Sequence, residues 1–405
     1  MPSILQLYRS AYLGLSKQTW YLSLVMFINR SGTMVVPFMT MYATQKLHYS
    51  IADAGIIMSL FGVGSIVGAF IGGKLTDVIG FYKIQVFSLF SGGVMFIVLG
   101  YLQTFAMLCV GTFVLSTISE SFRPANSTAI AFYSKPENIT RSYSLNRLAI
   151  NLGWAFGGAL GGFLAAYNYQ LLFWVDGITN ISAAVILLLV LPVPHDLKAT
   201  IAGNKKKATA ASSAYKDRPY LFFIFLTILF AFSFFQIFTI LPVYFKEQLH
   251  LSERVIGLLM AINGLIIAVV EMVIVFKLES RANPLRFIKY GVWLVGISYV
   301  IFNLFTGQFW LALVSTIFIT VGEMLSMPFM NTYWISRSAD HNRGQYAGLY
   351  TMAWSTAQIA SPSIGGFVVE KYGFNMLWWI VFAITVIAGA GFSRLAVSRN
   401  EAIRQ

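Results

Sequence analysis

The stretch TISESFRPANST, residues 117–128, puts Glu120 and Arg123 three residues apart, on one face of a helix, inside a long apolar run. Pro124 follows, and it cannot donate to the carbonyl of Glu120. A helix here therefore carries a local defect and a free acceptor beside the acid. An acid, a base and a defect together can hold an anionic group, open an ion pair or pass a proton. The plainer reading is that Arg123 neutralises Glu120 and the pair only packs the structure. Arg30, preceded by Asn29, lies about twelve residues into another apolar run, near mid-depth at roughly 1.5 Å per residue. Arginine in lipid costs at least about 2.5 kcal/mol, so Arg30 is expected to face water, an acid such as Glu120, or the acidic group of a ligand.

Two further acids share this setting. Glu323, in GEMLSMPFMN, has no basic neighbour close in sequence. A lone carboxyl in low dielectric is the type of group that loads and releases a proton near physiological pH, or that simply hydrogen-bonds another helix. Glu271 lies about six residues, roughly 9 Å, from the end of its run, where it can serve as a gate, a coupling acid or a structural partner. Asp176, near the other end of its run, reads as structural. Arg147, Asn151 and Trp154 follow i, i+4 and i+7, a polar and aromatic stripe on one helix face. With Gln236, Asn263, Asn331, Tyr333, Trp354 and Gln358 they can line a cavity, although each alone is more often an interhelical hydrogen bond. Few polar groups among many aromatics and Met point to an amphipathic small molecule.

The elements that must position these residues are membrane spans. Of 405 residues 57% are hydrophobic and 11% charged, and mean hydropathy is +0.71, far beyond what a water-exposed surface tolerates. Stretches of about 20 apolar residues cross roughly 30 Å of hydrocarbon as helices. Twelve are predicted, near 18–45, 52–73, 83–101, 105–133, 142–166, 170–192, 218–246, 253–276, 286–305, 309–335, 343–369 and 374–395. The opening MPSILQLYRSAYLGLSKQ is mildly amphipathic and basic and leads into a full-length span, which is expected to remain in the mature chain.

Apart from Lys46, Lys246, Arg254 and Lys371, and from Arg30 and Arg123 within spans, the 28 Lys and Arg fall on one side. The positive-inside rule then places both termini in the cytoplasm of a multi-pass cell-membrane protein. It also accounts for the net charge of +13 without a nucleic-acid partner. The lone Cys109 excludes an internal disulfide framework and a CxxC metal site. The long polar connection around Lys205, Lys206 and Lys207 divides the chain into an N-terminal half, 1–192, a cytoplasmic linker, 193–217, and a C-terminal half, 218–405. The lysine run is expected to touch anionic headgroups.

The halves repeat at an offset slightly above about 200 residues. KLHYS (46–50) matches QLHLS (248–252), Pro37 matches Pro242, Pro124 matches Pro328, and GGALGGF (157–163) matches SPSIGGF (361–367). An all-α polytopic membrane protein of twelve transmembrane helices in two pseudo-symmetric six-helix halves is the plan of an alternating-access transporter. At this point a family resemblance emerges. GGKLTDVIGFYK resembles the loop signature of the major facilitator superfamily at Gly73, Leu75, Asp77, Gly80 and Lys83, with Val78 and Phe81 where basic residues are usual. GWAFGGALGG in span 5 (Gly153, Gly157, Gly158, Gly161, Gly162) resembles the antiporter signature of the same superfamily, with Gly158 in place of Pro. The resemblance implies a cytoplasmic gate at the loop and a proton-coupled drug or metabolite antiporter.

These readings combine into a non-enzymatic secondary transporter, expected to act as a monomer in a lipid bilayer. It would exchange protons (Glu120, Glu323, Glu271) for a small-molecule substrate, with the proton gradient in place of any cofactor. Export of an amphipathic compound is the favoured direction. The alternatives are proton symport of an anionic or zwitterionic nutrient such as a small peptide, and a non-transporting sensor or scaffold. No phosphate-binding loop occurs, and His48, His195, His250 and His341 are scattered, so ATP drive and a metal centre lack sequence support.

Overall fold

The computed structural model describes residues 4–193, 213–280, 283–305, 307 and 309–404, so the Lys205–Lys207 run and His195 lie outside the described residues. The described elements are helical and include no strand. Lipid imposes this, because a spanning segment must satisfy its backbone groups internally. After a short helix α1 (Ile4–Tyr12), span 1 runs as α2 (Lys17–Ser31) and α3 (Val35–Met41). Spans 2 and 3 are α4 (Ile51–Ile79) and α5 (Phe81–Leu99), and span 4 is α6 (Phe105–Glu120) with α7 (Phe122–Tyr133). Spans 5 and 6 are α8 (Ile139–Tyr167) and α9 (Tyr169–Val190). Span 7 is α10 (Arg218–Phe235) with α11 (Ile240–Glu247), and α12 (Glu253–Leu278), α13 (Pro284–Leu304) and α14 (Phe309–Arg337) follow. Helix α15 (Arg343–Arg404) holds spans 11 and 12, divided at Gly373, whose φ of 81° and ψ of 169° are not helical. Eleven described stretches are long and apolar enough to cross a membrane, and the last is two crossings joined at that glycine, which makes twelve.

By packing, the chain forms two compact units. One comprises Leu15–Tyr215 with Ser338–Ser355; the other comprises Met1–Gly14, Lys216–Arg337 and Thr356–Gln405. The first unit contains spans 1–6 with the start of span 11, and the second contains α1, spans 7–10, the rest of span 11 and span 12.

The duplication extends to backbone detail. Spans 1 and 7 are each interrupted, at 32–34 and 236–239, just ahead of Pro37 and Pro242. A proline lacks the N–H and clashes with the carbonyl four residues earlier, so the helix restarts with proline in its first turn. Both spans then end on a histidine with positive φ, His48 at 59° and His250 at 52°. The closing bonds also correspond: Leu47 N–H to Tyr42 and Tyr49 to Ala43, against Leu249 to Tyr244 and Leu251 to Phe245. Span 4 breaks at Ser121, three residues before Pro124. There the Ser121 hydroxyl donates to the Ile118 carbonyl at 2.6 Å and lies 2.8 Å from the Ser88 hydroxyl. Span 10 departs from the repeat, because α14 runs unbroken through Pro328.

The glycines of span 5 separate into two groups. A Cβ on Gly153 would lie 2.6 Å from the Cβ of Arg30, and one on Gly157 would lie 2.9 Å from the Ser31 carbonyl oxygen. Gly161 faces Met34 and Phe38. These three, four residues apart, let α8 lie directly on span 1. Gly158 meets nothing within 4 Å and Gly162 only Phe38 at 3.9 Å, so the position where the signature carries proline is on the open face. Gly153→Leu is expected to destabilise the protein by about 1–3 kcal/mol through overpacking. Gly158→Leu should stay within about 0.5 kcal/mol of wild type. Thermal unfolding of both variants in detergent checks the contrast.

Candidate functional site

In the first unit the break in span 1 needs donors satisfied. Asp176, fully buried on α9, accepts from the N–H of Met34 at 3.0 Å on each oxygen and from Val35 at 2.7 Å. The structural reading of this acid thus acquires a specific task, the capping of a half-helix within the bilayer. Asn29 donates to Asn180 Oδ1 at 2.7 Å, and Asn180 donates to the Asp176 carbonyl at 2.7 Å. Asn29 is accordingly committed to span 6. Arg30, in the last turn of α2, stands at the rim of this capped break. It is half-buried, and its Nε is shut off from solvent with no acceptor.

Glu120 and Arg123 meet as their spacing predicts, Nη1 to Oε2 at 3.1 Å, with side chains 12% and 32% exposed. Both are close enough to Arg30 to act on it electrostatically. Two guanidinium groups and one carboxylate therefore share this part of the unit. Asn151 is half-buried and Trp154 is 49% exposed on α8. Tyr350, at the start of span 11, is a residue the sequence reading missed. It feels the charges of Arg123 and Arg147, and its ring meets that of half-buried Trp354 edge-on at 6.2 Å. The i, i+4 spacing of these two aromatics was the available signal.

In the second unit Glu323 is buried on α14, 5% exposed. Asn263 of α12 reaches it at 3.5 Å and donates to Thr320 Oγ1 at 2.9 Å. Tyr299, fully buried and stacked on Trp378 at 5.1 Å, lies within the field of Glu323 and is a further residue that sequence did not single out. Glu271 is buried on α12, two residues beyond Val269, whose carbonyl accepts from the Tyr8 hydroxyl of α1 at 2.5 Å. The other expected cavity residues of the second unit divide between buried, half-buried and exposed positions. Gln236 is fully buried, donates to the Ser361 carbonyl at 3.4 Å and faces Gly365. Tyr333 is buried against Phe223 with centroids 4.5 Å apart, and Asn331 bonds within its own helix to Met327 and Trp334. Gln358 is exposed.

The loop motif builds a joint at one end of the first unit. Asp77 accepts from the N–H of Gly344 at 2.6 Å and of Gln345 at 2.9 Å, so its charge caps the first turn of α15. A Cβ on Gly73 would lie 2.5 Å from the Gly344 carbonyl oxygen, which leaves only glycine for that approach. Gly80, at φ 91°, lets α5 begin immediately after α4. Lys83 is exposed, whereas Phe81, in place of a basic residue, is buried against Phe132 and Tyr133. The end of the linker covers the joint. Ser213 donates to Gln345 Oε1 at 3.2 Å, and Lys74 lies 4.3 Å over the ring of Phe70, which meets Tyr215 at 5.9 Å. Burial, and after it the Asp77 charge, pushes the Tyr215 phenol up, so this ring stays neutral.

Twelve apolar crossings in a duplicated plan, with charged groups held at membrane depth, define a polytopic membrane transporter rather than an enzyme. Residues 21–362 match the Major Facilitator Superfamily, and the chain belongs to that family. It is 24% identical over 90% of its length to a Na(+), Li(+), K(+)/H(+) antiporter of Planococcus maritimus, 92% of which is covered. It is 20% identical over 88% of its length to the quinolone resistance protein NorA of Staphylococcus aureus (strain COL), 91% of which is covered. The human organic anion transporter MFSD10 (TETRAN) superposes with a TM-score of 0.69 at 14% identity, covering 97% of this chain and 100% of that one.

Asp77→Ala removes a charged acceptor from two helix N–H groups. A loss of about 2–4 kcal/mol is expected, since hydrogen bonds to charged groups contribute about 1.5–3 kcal/mol each and the freed N–H groups partly rehydrate. Chemical denaturation in detergent measures it; unchanged stability would remove Asp77 from the joint.

Proposed function

We propose that this transporter is proton-coupled, works by alternating access and exports an amphipathic small molecule by antiport, as a monomer with both termini in the cytoplasm. The carrying observation is the pair of membrane-depth acids in contrasting settings. Glu120 is held by a guanidinium, and Glu323 is buried beside an amide. Carboxyls in different environments can divide the labour of holding charge and carrying a proton. On this reading Glu323 loads and releases the coupled proton, Glu120 holds Arg123 until substrate or proton displaces it, and Glu271 is a secondary coupling acid. The proton gradient is the energy source and no cofactor is required.

Antiport draws support from the relatives, one named as a cation/proton antiporter and another as a quinolone resistance protein. Half-exposed Trp154 and half-buried Trp354 supply the apolar contact an amphipathic compound needs. A second reading, proton symport of an anionic or zwitterionic nutrient, is favoured by Arg30, whose Nε lacks an acceptor.

Proteoliposomes with an imposed pH gradient separate the two. Substrate movement opposite to proton flow is expected in wild type, and Glu323→Gln should cut that coupled flux by about tenfold or more, a typical size for coupling between sites. Movement with the protons would establish symport, and full coupling in both Glu120→Gln and Glu323→Gln would overturn the acid assignments.

A further inference from the structure

The charges at membrane depth in the first unit do not balance. Arg30 and Arg123 face one carboxylate, Glu120, and its Oε2 is already 3.1 Å from Arg123. The other described acids of this unit are engaged or lie at helix ends. Asp176 is consumed by the N–H groups of Met34 and Val35, and Asp77 by those of Gly344 and Gln345. Asp53 closes a capping box with Ser50, Asp340 pairs with Arg343 at 2.7 Å, and Glu137 lies in the 3₁₀ turn Pro136–Asn138. Arg30 keeps a solvent-excluded Nε without an acceptor.

Nor can Arg30 easily swing away. Its Cβ is wedged against Gly153 and its carbonyl against Gly157, and the chain breaks two residues later at a junction fixed by Asp176. An arginine whose backbone and Cβ are wedged at membrane depth is costly unless a partner completes its guanidinium, and its planar fork suits a carboxylate or related oxyanion. Trp154, the residue after Gly153 on α8, is 49% exposed and offers an apolar ring in the same turn of that helix.

We propose that the transported molecule is an organic anion, an oxyanion on an aromatic body, and that Arg30 with Arg123 receives the anionic group while Trp154 packs against the ring. This rests on the transport reading above and narrows its substrate from amphipathic to anionic. It holds for export and uptake alike, because it concerns the bound group and not the direction of movement.

The test uses the full-length protein and a panel of one-, two- and three-ring aromatic carboxylates, each with its neutral amide and its amine counterpart. Binding is followed in detergent by tryptophan fluorescence and flux in proteoliposomes under a pH gradient. At least one carboxylate should bind about tenfold or more tightly than its amide, the usual scale for a hydrogen bond to a charged group. Arg30→Gln should abolish that preference, and Arg30→Lys should keep part of it, since a point charge replaces the fork. Thermal melts confirm that both variants are folded, and Trp154→Ala should weaken carboxylate binding without changing the carboxylate-to-amide ratio. Preferential binding without flux would support the anion site and overturn the transport reading. Absence of any carboxylate preference, or its survival in Arg30→Gln, would overturn the anion site whatever the flux.

Discussion

Asp176 and the two N–H groups it takes at the break in span 1 set the conditions for the rest of the first unit. Pro37 stops the helix from running through, and the freed donors cannot turn to water at membrane depth. Each unsatisfied buried donor costs about 1–3 kcal/mol. A carboxylate from a neighbouring helix removes that cost and fixes span 6 against span 1 at the same point. Asn29 and Asn180 extend the joint by two more hydrogen bonds. Arg30 is thereby held at the edge of a rigid discontinuity, the kind of location at which transporters of this architecture build their sites.

Close helix contact then does for Arg30 what the cap does for the backbone. Gly153 and Gly157 bring α8 against α2, so the backbone and Cβ of Arg30 are seated directly on α8. In lipid the approach of two backbones is itself a source of association energy, because apolar side chains gain little by leaving hydrocarbon. The same logic explains the open face at Gly158. Helix contact requires small residues only every fourth position, so the signature's proline position bears no packing load in this chain and glycine is accommodated there.

Much of this architecture was legible in the residues. Span limits such as 105–133 and 309–335 nearly coincide with Phe105–Tyr133 and Phe309–Arg337, because a run long enough to cross hydrocarbon has few alternatives to a helix. Matched histidine pentapeptides revealed the duplication, and the identical positive-φ endings at His48 and His250 follow from it. The Glu120–Arg123 pair followed from i, i+3 spacing alone. Residue roles were harder to read where partners come from distant sequence. Gln236 and Asn29 are polar groups at membrane depth, and nothing local distinguishes a ligand contact from a bond to another helix. The cap by Asp176 was hidden for the same reason, since its partners lie 141 and 142 residues away. Pro328 shows the limit of repeat arguments: the proline repeats, the break does not.

That difference between the halves has a physical logic. In the first unit a broken helix, two guanidinium groups and an acid occur together, and the acid forms an ion pair. In the second, the helix carrying Glu323 is continuous, and its acid lies beside Asn263 and within reach of the Tyr299 field. Breaking a buried ion pair by removing one partner costs about 3–5 kcal/mol, whereas an amide can hydrogen-bond a carboxyl in either protonation state. A group that must gain and lose a proton on every cycle is better served by the second arrangement. A group that must hold an anion until displaced is better served by the first. Duplication supplied two copies of one scaffold, and the copies differ in what meets the acid, Arg123 in the first unit and Asn263 in the second.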